Sequence, residues 1–252
     1  MINFSFLKKE LMELIRTPKL IIITSVFVFF AIIGPLTAKY MNELLAMFAS
    51  DIEISFPDPT HLQSWEQFYS NITSISMIVF LILMTGTVVS EKAKGSVYLV
   101  LTKNVTRSSF ILCKILAGFI LFTAMFLISV LISWYYTWIL FDQVIYEGLF
   151  LSLLSIYVLG IFFTMVAVTI SILFKTTTHA ALVAFGAYAF LNILTILTDL
   201  NRFNPAGSAS LVMRKLMGDA VTPLVLTNIV TSIILTVILI FISTRIFNKQ
   251  EL

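Results

Sequence analysis

Six long stretches without a charged side chain constrain this sequence more than any other feature. Each lacks Asp, Glu, Lys and Arg over roughly the 20 residues that a helix needs to cross the hydrocarbon core of a bilayer. Their residues are mainly Ile, Leu, Val and Phe, and in lipid a helix satisfies all of its own backbone polar groups. We predict membrane spans near residues 20–37, 70–89, 112–136, 149–173, 179–198 and 224–246. The fold class is therefore an all-α polytopic membrane protein, with residues 1–252 forming a single transmembrane domain.

The composition excludes a soluble domain. Hydrophobic residues make up 59% of the chain and charged residues 12%, whereas soluble domains average about half and about a quarter. Cys113 is the single cysteine, so one chain holds neither an internal disulfide nor a cysteine-based zinc site. The net charge of +3 is too small to indicate nucleic-acid binding.

The distribution of Lys and Arg predicts the orientation of the six spans. With the N-terminus inside, the inner segments carry twelve of the 16 Lys and Arg residues and the outer segments carry four. This is the positive-inside pattern, so we expect both termini in the cytoplasm. The same orientation places a belt of aromatic residues at the outer interface. Its members are Trp65, Tyr69, Trp134, Tyr135, Tyr136 and Trp138.

An amphipathic helix is predicted at residues 3–16, before the first span. Its apolar positions, at helical spacing, are Phe4, Leu7, Leu11, Leu14 and Ile15. Its charged side carries Lys8, Lys9, Glu10, Glu13 and Arg16. Thr17-Pro18 ends the helix, because the residue before a proline is pushed out of the α region. The pattern is typical of a helix lying flat in the lipid headgroups, and it fits equally a helix that also contacts a cytoplasmic partner.

A second short helix is predicted at residues 205–217, on the outer side before the last span. Asn204 followed by Pro205 indicates a helix cap with proline in the first turn. Gly218 supplies a stop signal at the other end.

The chain carries no motif for catalysis or for energy supply. It has no glycine-rich phosphate loop ending in Lys-Ser or Lys-Thr, so it cannot hold ATP by that device. No Asp, Glu, Lys or Arg lies deep within a span, whereas ion-coupled carriers usually bury such groups there. An intramembrane enzyme would need catalytic groups at that depth. We therefore predict no catalytic, cofactor-binding or metal-ligating residues.

The inner loop at 90–111, between spans two and three, is the most informative segment. Gly95 permits a tight turn as the chain leaves the membrane. Ser96 is a good N-cap for a short helix lying parallel to the bilayer, and Thr106 or Ser108 can cap the third span. Such a helix can pass a push from a cytoplasmic partner into the spans, although an ordinary positive inner loop explains the same residues.

The order of residues along this loop resembles the membrane subunits of type-2 ATP-binding-cassette (ABC) exporters. The matching residues are Glu91, Gly95, Ser96, Leu99, Leu101, Arg107 and Lys114. The family often has proline where Asn104 stands and threonine where Ser96 stands, but asparagine still suits a turn and serine still caps a helix. In that family the segment is the coupling helix that docks on a separate ATPase.

The resemblance implies a half-transporter. Two permeases, identical or related, would join two cytoplasmic ABC ATPase subunits, which would carry the ATP and magnesium. The path would form between the permeases, in contact with membrane lipid, in what we expect to be a bacterial plasma membrane. An uncharged path suits an amphipathic or hydrophobic substrate such as a peptide toxin, an antimicrobial peptide, a lipid or a drug. The alternative is a membrane anchor for a cytoplasmic ATPase that transports nothing.

Overall fold

The computed structural model describes residues 3–48, 58–97 and 105–250, and the regular structure in these residues is helical throughout. The α-helices, in chain order, are α1 (Phe4–Arg16), α2 (Pro18–Phe48), α3 (His61–Asn71), α4 (Met77–Ala93), α5 (Arg107–Phe141), α6 (Leu149–Leu173), α7 (Thr177–Ile193), α8 (Gly207–Leu216) and α9 (Thr222–Lys249). A π-helical segment, Ile72–Ser76, joins α3 to α4 without a break. The predicted all-α class is confirmed.

Within the described ranges, six helical stretches are long and apolar enough to cross a membrane. They are Pro18–Glu43, His61–Ala93, Arg107–Phe141, Leu149–Leu173, Thr177–Ile196 and Thr222–Lys249. The second begins well before the predicted residue 70, because Thr60 and Gln63 form a capping box there. The third begins at Arg107, since the Thr106 side chain accepts a hydrogen bond from the Ser109 amide. Residues 107–111, predicted as part of the inner loop, are therefore helical.

The two ends of the described chain lie at the same end of the bundle, called here the termini end. The Asn3 amide donates to Ser109 Oγ at 3.0 Å, which places the start of α1 beside the start of α5. Arg107 Nη1 donates to the Gln250 carbonyl at 2.7 Å, and Lys92 Nζ donates to the Gln250 side chain at 3.1 Å. The ends of α4 and α9 therefore meet α1 and α5 at the termini end.

Helix α6 occupies the centre of the bundle. In its apolar stretch 78% of the residues are buried, against 17% in the stretch at Thr177–Ile196. Small residues let its neighbours approach closely, as is common between membrane helices. At Gly160 an added Cβ would stand 1.8 Å from the Phe122 ring, so that ring packs directly on the α6 backbone.

At the opposite end, α8 packs against the start of α9, where the Ser208 hydroxyl donates to the Asn228 side-chain oxygen at 2.6 Å. Asn228 of α9 is fully buried, and its Nδ2 donates to the carbonyls of Asn201 and Asn204, both at 2.7 Å. The helix predicted at 205–217 begins at Gly207, because the Asn204 side chain accepts from the Ala206 amide and holds the chain in a turn. Pro205 therefore precedes the helix instead of occupying its first turn.

Two residues of the predicted aromatic belt lie inside the protein. Trp65 and Tyr69 are fully buried because internal partners satisfy their polar atoms. The Trp65 indole N–H donates to the Val144 carbonyl at 2.7 Å, and the Tyr69 hydroxyl bonds the Tyr146 hydroxyl at 2.9 Å. The exposed members of the predicted belt are Trp134, Tyr135 and Trp138.

Candidate functional site

Helix α1 presents three different faces at the termini end. Asn3 caps its start, since its Oδ1 accepts from the Phe6 amide at 3.1 Å. Phe4 and Ile15 point outward and are 77% and 66% exposed, as expected for side chains that lie in lipid. Leu7 and Leu14 are half-buried and pack against the bundle, and Leu11 is half-buried as well. The side chains buried on the inner face are Phe6 and Glu10.

Glu10 connects α1 to the family motif through buried ion pairs. Its Oε2 lies 2.7 Å from Lys114 Nζ of α5. The same ammonium lies 3.0 Å from Glu91 Oε1 of α4, and Lys9 Nζ approaches that oxygen to 3.1 Å. Lys9 also pairs with Glu13 at 2.8 Å. These five residues, called here the charge cluster, bring together two residues of the motif, Glu91 and Lys114, and link three helices.

Burial makes the charge cluster energetically important. The side chains of Lys114, Glu91 and Glu10 are only 2%, 6% and 7% exposed. A buried ion pair gains little over an apolar pair, but removing one partner leaves an uncompensated charge and costs about 3–5 kcal/mol. The Lys114 ammonium also lies 5.1 Å from the centre of the Phe110 ring, within cation–π range. The cluster therefore holds α1, α4 and α5 in one arrangement.

The pKa values of Lys9 and Glu13, the more exposed residues of the cluster, are shifted by the same ion pairs. Burial acts to lower the pKa of Lys9, but the bond to Glu13 and the charges of Glu10 and Glu91 outweigh it and raise that pKa above its usual value. Burial acts to raise the pKa of Glu13, and its bond to Lys9 outweighs burial and lowers that pKa. Both residues are therefore held in their charged forms.

The carboxylates of the cluster also resemble a cation site. Oxygens of Glu10, Glu13 and Glu91 lie within 4.8 Å of one another. The ammonium groups of Lys9 and Lys114 already stand against these oxygens and supply the positive charge that a metal ion would bring. Glu91 Oε2 is buried and accepts no hydrogen bond from the described residues, so this oxygen can still accept one.

The turn that follows α4 carries two further motif residues. Gly95 has φ +69°, in the left-handed region that favours glycine. Ser96 and Val97 resume a helical backbone, and the Ser96 hydroxyl donates to the Glu91 carbonyl at 3.2 Å. Val97 is fully buried. Leu99, Leu101 and the amides that Ser96 is predicted to cap lie in residues 98–104, outside the described residues.

Arg107 does not join the charge cluster. As the first residue of α5 it donates through Nη1 to the carbonyls of Asn248 and Gln250, at 3.0 and 2.7 Å. A cation at this position satisfies carbonyls at the end of α9 that have no partner within the helix. Arg107 therefore fastens the last helix to the third span.

Comparison with known proteins gives the same assignment along nearly the whole chain. The profile of the ABC-2 family transporter proteins matches residues 5–252. The chain belongs to the ABC-2 family. It is also 24% identical over 210 residues to YxlG, an uncharacterized transmembrane protein of Bacillus subtilis (strain 168), and the match covers 81% of each chain. As an ABC-2 protein the chain is a multi-pass membrane permease subunit of an ABC system and is not itself the catalytic component, and membership of the family implies an ATP-binding partner in that system.

The burial of Glu10 could have been predicted from the helical spacing of its neighbours in this ABC-2 permease. Phe6, Glu10 and Leu14 follow one another at intervals of four residues and so share a face of α1. The sequence pattern places Glu10 on the charged side of the helix with Lys8 and Lys9, whereas the structure buries it beside Phe6. A carboxylate between two inward-facing apolar residues indicates a buried partner, and Lys114 is that partner.

Proposed function

We propose that this chain is the membrane subunit of an ATP-driven ABC exporter, with the translocation path formed between two permease copies. The exported substrate is amphipathic or hydrophobic: a peptide toxin, an antimicrobial peptide, a lipid or a drug. Two cytoplasmic ATPase subunits hold the ATP and magnesium, and the termini end faces them in a bacterial plasma membrane. The second permease is the same chain in the simplest assembly.

The observation that carries this proposal is the charge cluster beside Gly95. A push on the segment after Gly95 reaches α4 directly, and the cluster passes it from Glu91 to Lys114 of α5 and Glu10 of α1. Buried pairs suit this role because they are formed or broken as a unit and do not stretch gradually. Movement of the ATPases would thus shift three helices together.

The uncharged middle of the six spans supports the proposed substrate class. No Asp, Glu, Lys or Arg lies at mid-membrane depth in these spans, so the surfaces that two copies turn toward each other are uncharged there. The middle of the membrane therefore offers hydroxyl and apolar groups and no ionisable relay in this part of the chain. Such a path favours a molecule with its own apolar surface over a hydrated ion.

The experiment that tests the assembly is native mass spectrometry of the chain purified with its cognate ATPase. We expect a complex of two copies of each subunit, with a photoreactive ATP analogue crosslinked only to the ATPase. Crosslinking to this chain would contradict the proposed division of labour. A stable complex whose ATP hydrolysis ignores every amphipathic candidate substrate would favour the anchor without transport.

A further inference from the structure

An open groove runs along the outer surface of the bundle between α5 and α9, at the termini end. Its volume is about 450 Å³. Leu112, Val237, Ile240 and Phe241 line its apolar part, and Arg245 and Asn248 stand at its polar mouth. This groove is separate from the charge cluster, which lies where α1, α4 and α5 meet.

The length of the groove matches one leaflet of a bilayer. The eleven-residue step from Val237 to Asn248 on α9 spans about 16 Å at the helical rise of ~1.5 Å per residue. Half of the hydrocarbon core of a typical bilayer is about 15 Å thick. An acyl chain lying along α9 from the level of Arg245 to Val237 would cover eight residues, or about 12 Å, which is most of that depth.

The mouth of the groove is positively charged. Arg245 is exposed, and its guanidinium lies 4.8 Å from the centre of the Phe241 ring, which orients it over the groove wall. Lys249 is exposed one turn further along α9. The segments that form the groove, residues 107–118 and 237–250, contain no Asp or Glu. The mouth therefore attracts an anion held at the membrane surface.

We propose that this groove binds an anionic phospholipid, with one acyl chain along Leu112 and Val237 and the phosphate at Arg245. A second copy of the chain fits the groove less well. A symmetric contact through this face would bring Arg245 of each copy near that of the other, and like charges repel. The site is independent of the direction of transport and of the ATPase.

Native mass spectrometry of the full chain tests the proposal. The protein is purified from nanodiscs that contain equal amounts of phosphatidylglycerol and phosphatidylcholine with identical acyl chains, and the retained lipids are counted. We expect the wild type to retain phosphatidylglycerol preferentially. Arg245→Gln should lower that retention roughly fivefold, the effect of one basic residue at an anionic surface, and leave phosphatidylcholine unchanged.

Two further variants make the result specific. Arg202→Gln is the matched control, because Arg202 also stacks on a neighbouring ring, 4.7 Å from the centre of Phe203, but at the opposite end of the bundle. It should retain lipid like the wild type. Val237→Trp, which fills the apolar part, should lower the retention of both lipids. Equal retention of the two lipids by the wild type, or equal losses in the Arg202 and Arg245 variants, would overturn the proposal. So would a dominant disulfide between copies carrying Val237→Cys, because a second copy would then occupy the groove.

Discussion

At the scale of single residues, the protein places its few buried charges where they join helices. The sequence identifies Glu91 and Lys114 as motif residues but does not predict that they are buried. Exposed loops and the ends of helices contain the same charged residue types. Glu10, the partner of Lys114, stands 104 positions before it in the chain, and the packing of α1 against α5 decides that contact. Long-range pairing of this kind has no local signature beyond the spacing of Phe6, Glu10 and Leu14.

Removing one charge from the cluster should destabilise the protein strongly. We expect Glu10→Gln to lower the free energy of unfolding by about 3 kcal/mol, because it leaves the Lys114 ammonium with reduced compensation in a buried site. The double variant Glu10→Gln, Lys114→Met should be more stable than Lys114→Met alone, because Lys114→Met leaves the buried carboxylates of Glu10 and Glu91 without that ammonium and Glu10→Gln removes one of the two negative charges. Unfolding by SDS in mixed micelles, followed by circular dichroism, measures both.

The matched control for this pair is Arg214→Gln. Arg214 pairs with Asp219 at 2.9 Å, but both side chains are 48% exposed. Exposed pairs contribute at most about 1 kcal/mol, so this variant should unfold close to the wild type. Equal destabilisation by Glu10→Gln and Arg214→Gln would contradict the role given to burial.

At the scale of elements, the pattern of hydrophobicity predicted the spans and the two short helices, and local capping decided where they begin. Thr60 with Gln63 extends the second span toward the opposite end, and Thr106 starts the third span inside the predicted loop. The π-helical segment Ile72–Ser76 was not predictable, because its sequence is ordinary for a membrane helix. At this segment, where the backbone bonds span five residues instead of four, the Tyr188 hydroxyl of α7 donates to the Thr73 carbonyl.

The turn at Gly95 should be essential for coupling. At φ +69° a β-branched residue is strained by roughly 1–2 kcal/mol, so Gly95→Val should misdirect the segment that follows. An added Cβ meets no atom of the described residues within 4 Å, so among them the cost of valine comes from backbone strain and not from a clash. We expect Gly95→Val to insert normally but to lose most ATP-driven transport. Gly95→Asn is the control, because asparagine tolerates this conformation.

One result would contradict the predicted role of Gly95 in coupling. If the valine variant transports at the wild-type rate in proteoliposomes that contain the cognate ATPase, the segment is an ordinary loop. Leu101→Asp gives a second probe of the same segment, which we also expect to reduce transport. Its effect stays a sequence prediction, because residue 101 lies outside the described residues.

At the scale of the whole molecule, the two ends of the described chain, residues 3 and 250, lie at one end of the bundle. The distribution of Lys and Arg predicts which compartment that end faces. Structure alone places residues relative to one another and leaves the bilayer orientation to this charge asymmetry. The asymmetry is carried by residues such as Lys94 and Lys175, which cluster at the termini end with the charge cluster. The permease family was recognisable from the loop motif, whereas the substrate was not, because the path between two copies is built from both surfaces.

Cysteine labelling tests the orientation. In a background with Cys113→Ala, we expect Glu147→Cys to react with an impermeant thiol reagent added to intact cells, and Lys94→Cys to react only after the membrane is opened. Both positions are exposed, so access is decided by the membrane. Labelling of Lys94→Cys alone in intact cells would reverse the predicted orientation.

The measurement that tests the central claim most directly is transport in proteoliposomes made with this chain alone or with its cognate ATPase. Dye-labelled amphipathic peptides and lipids serve as substrates, driven by ATP or by a pH gradient. Because the chain has no phosphate-binding loop and no ionisable group deep in a span, we predict that it is inert alone under both conditions. With the ATPase it should move substrate only when ATP is present. Transport driven by a pH gradient in liposomes that contain this chain alone would contradict the account.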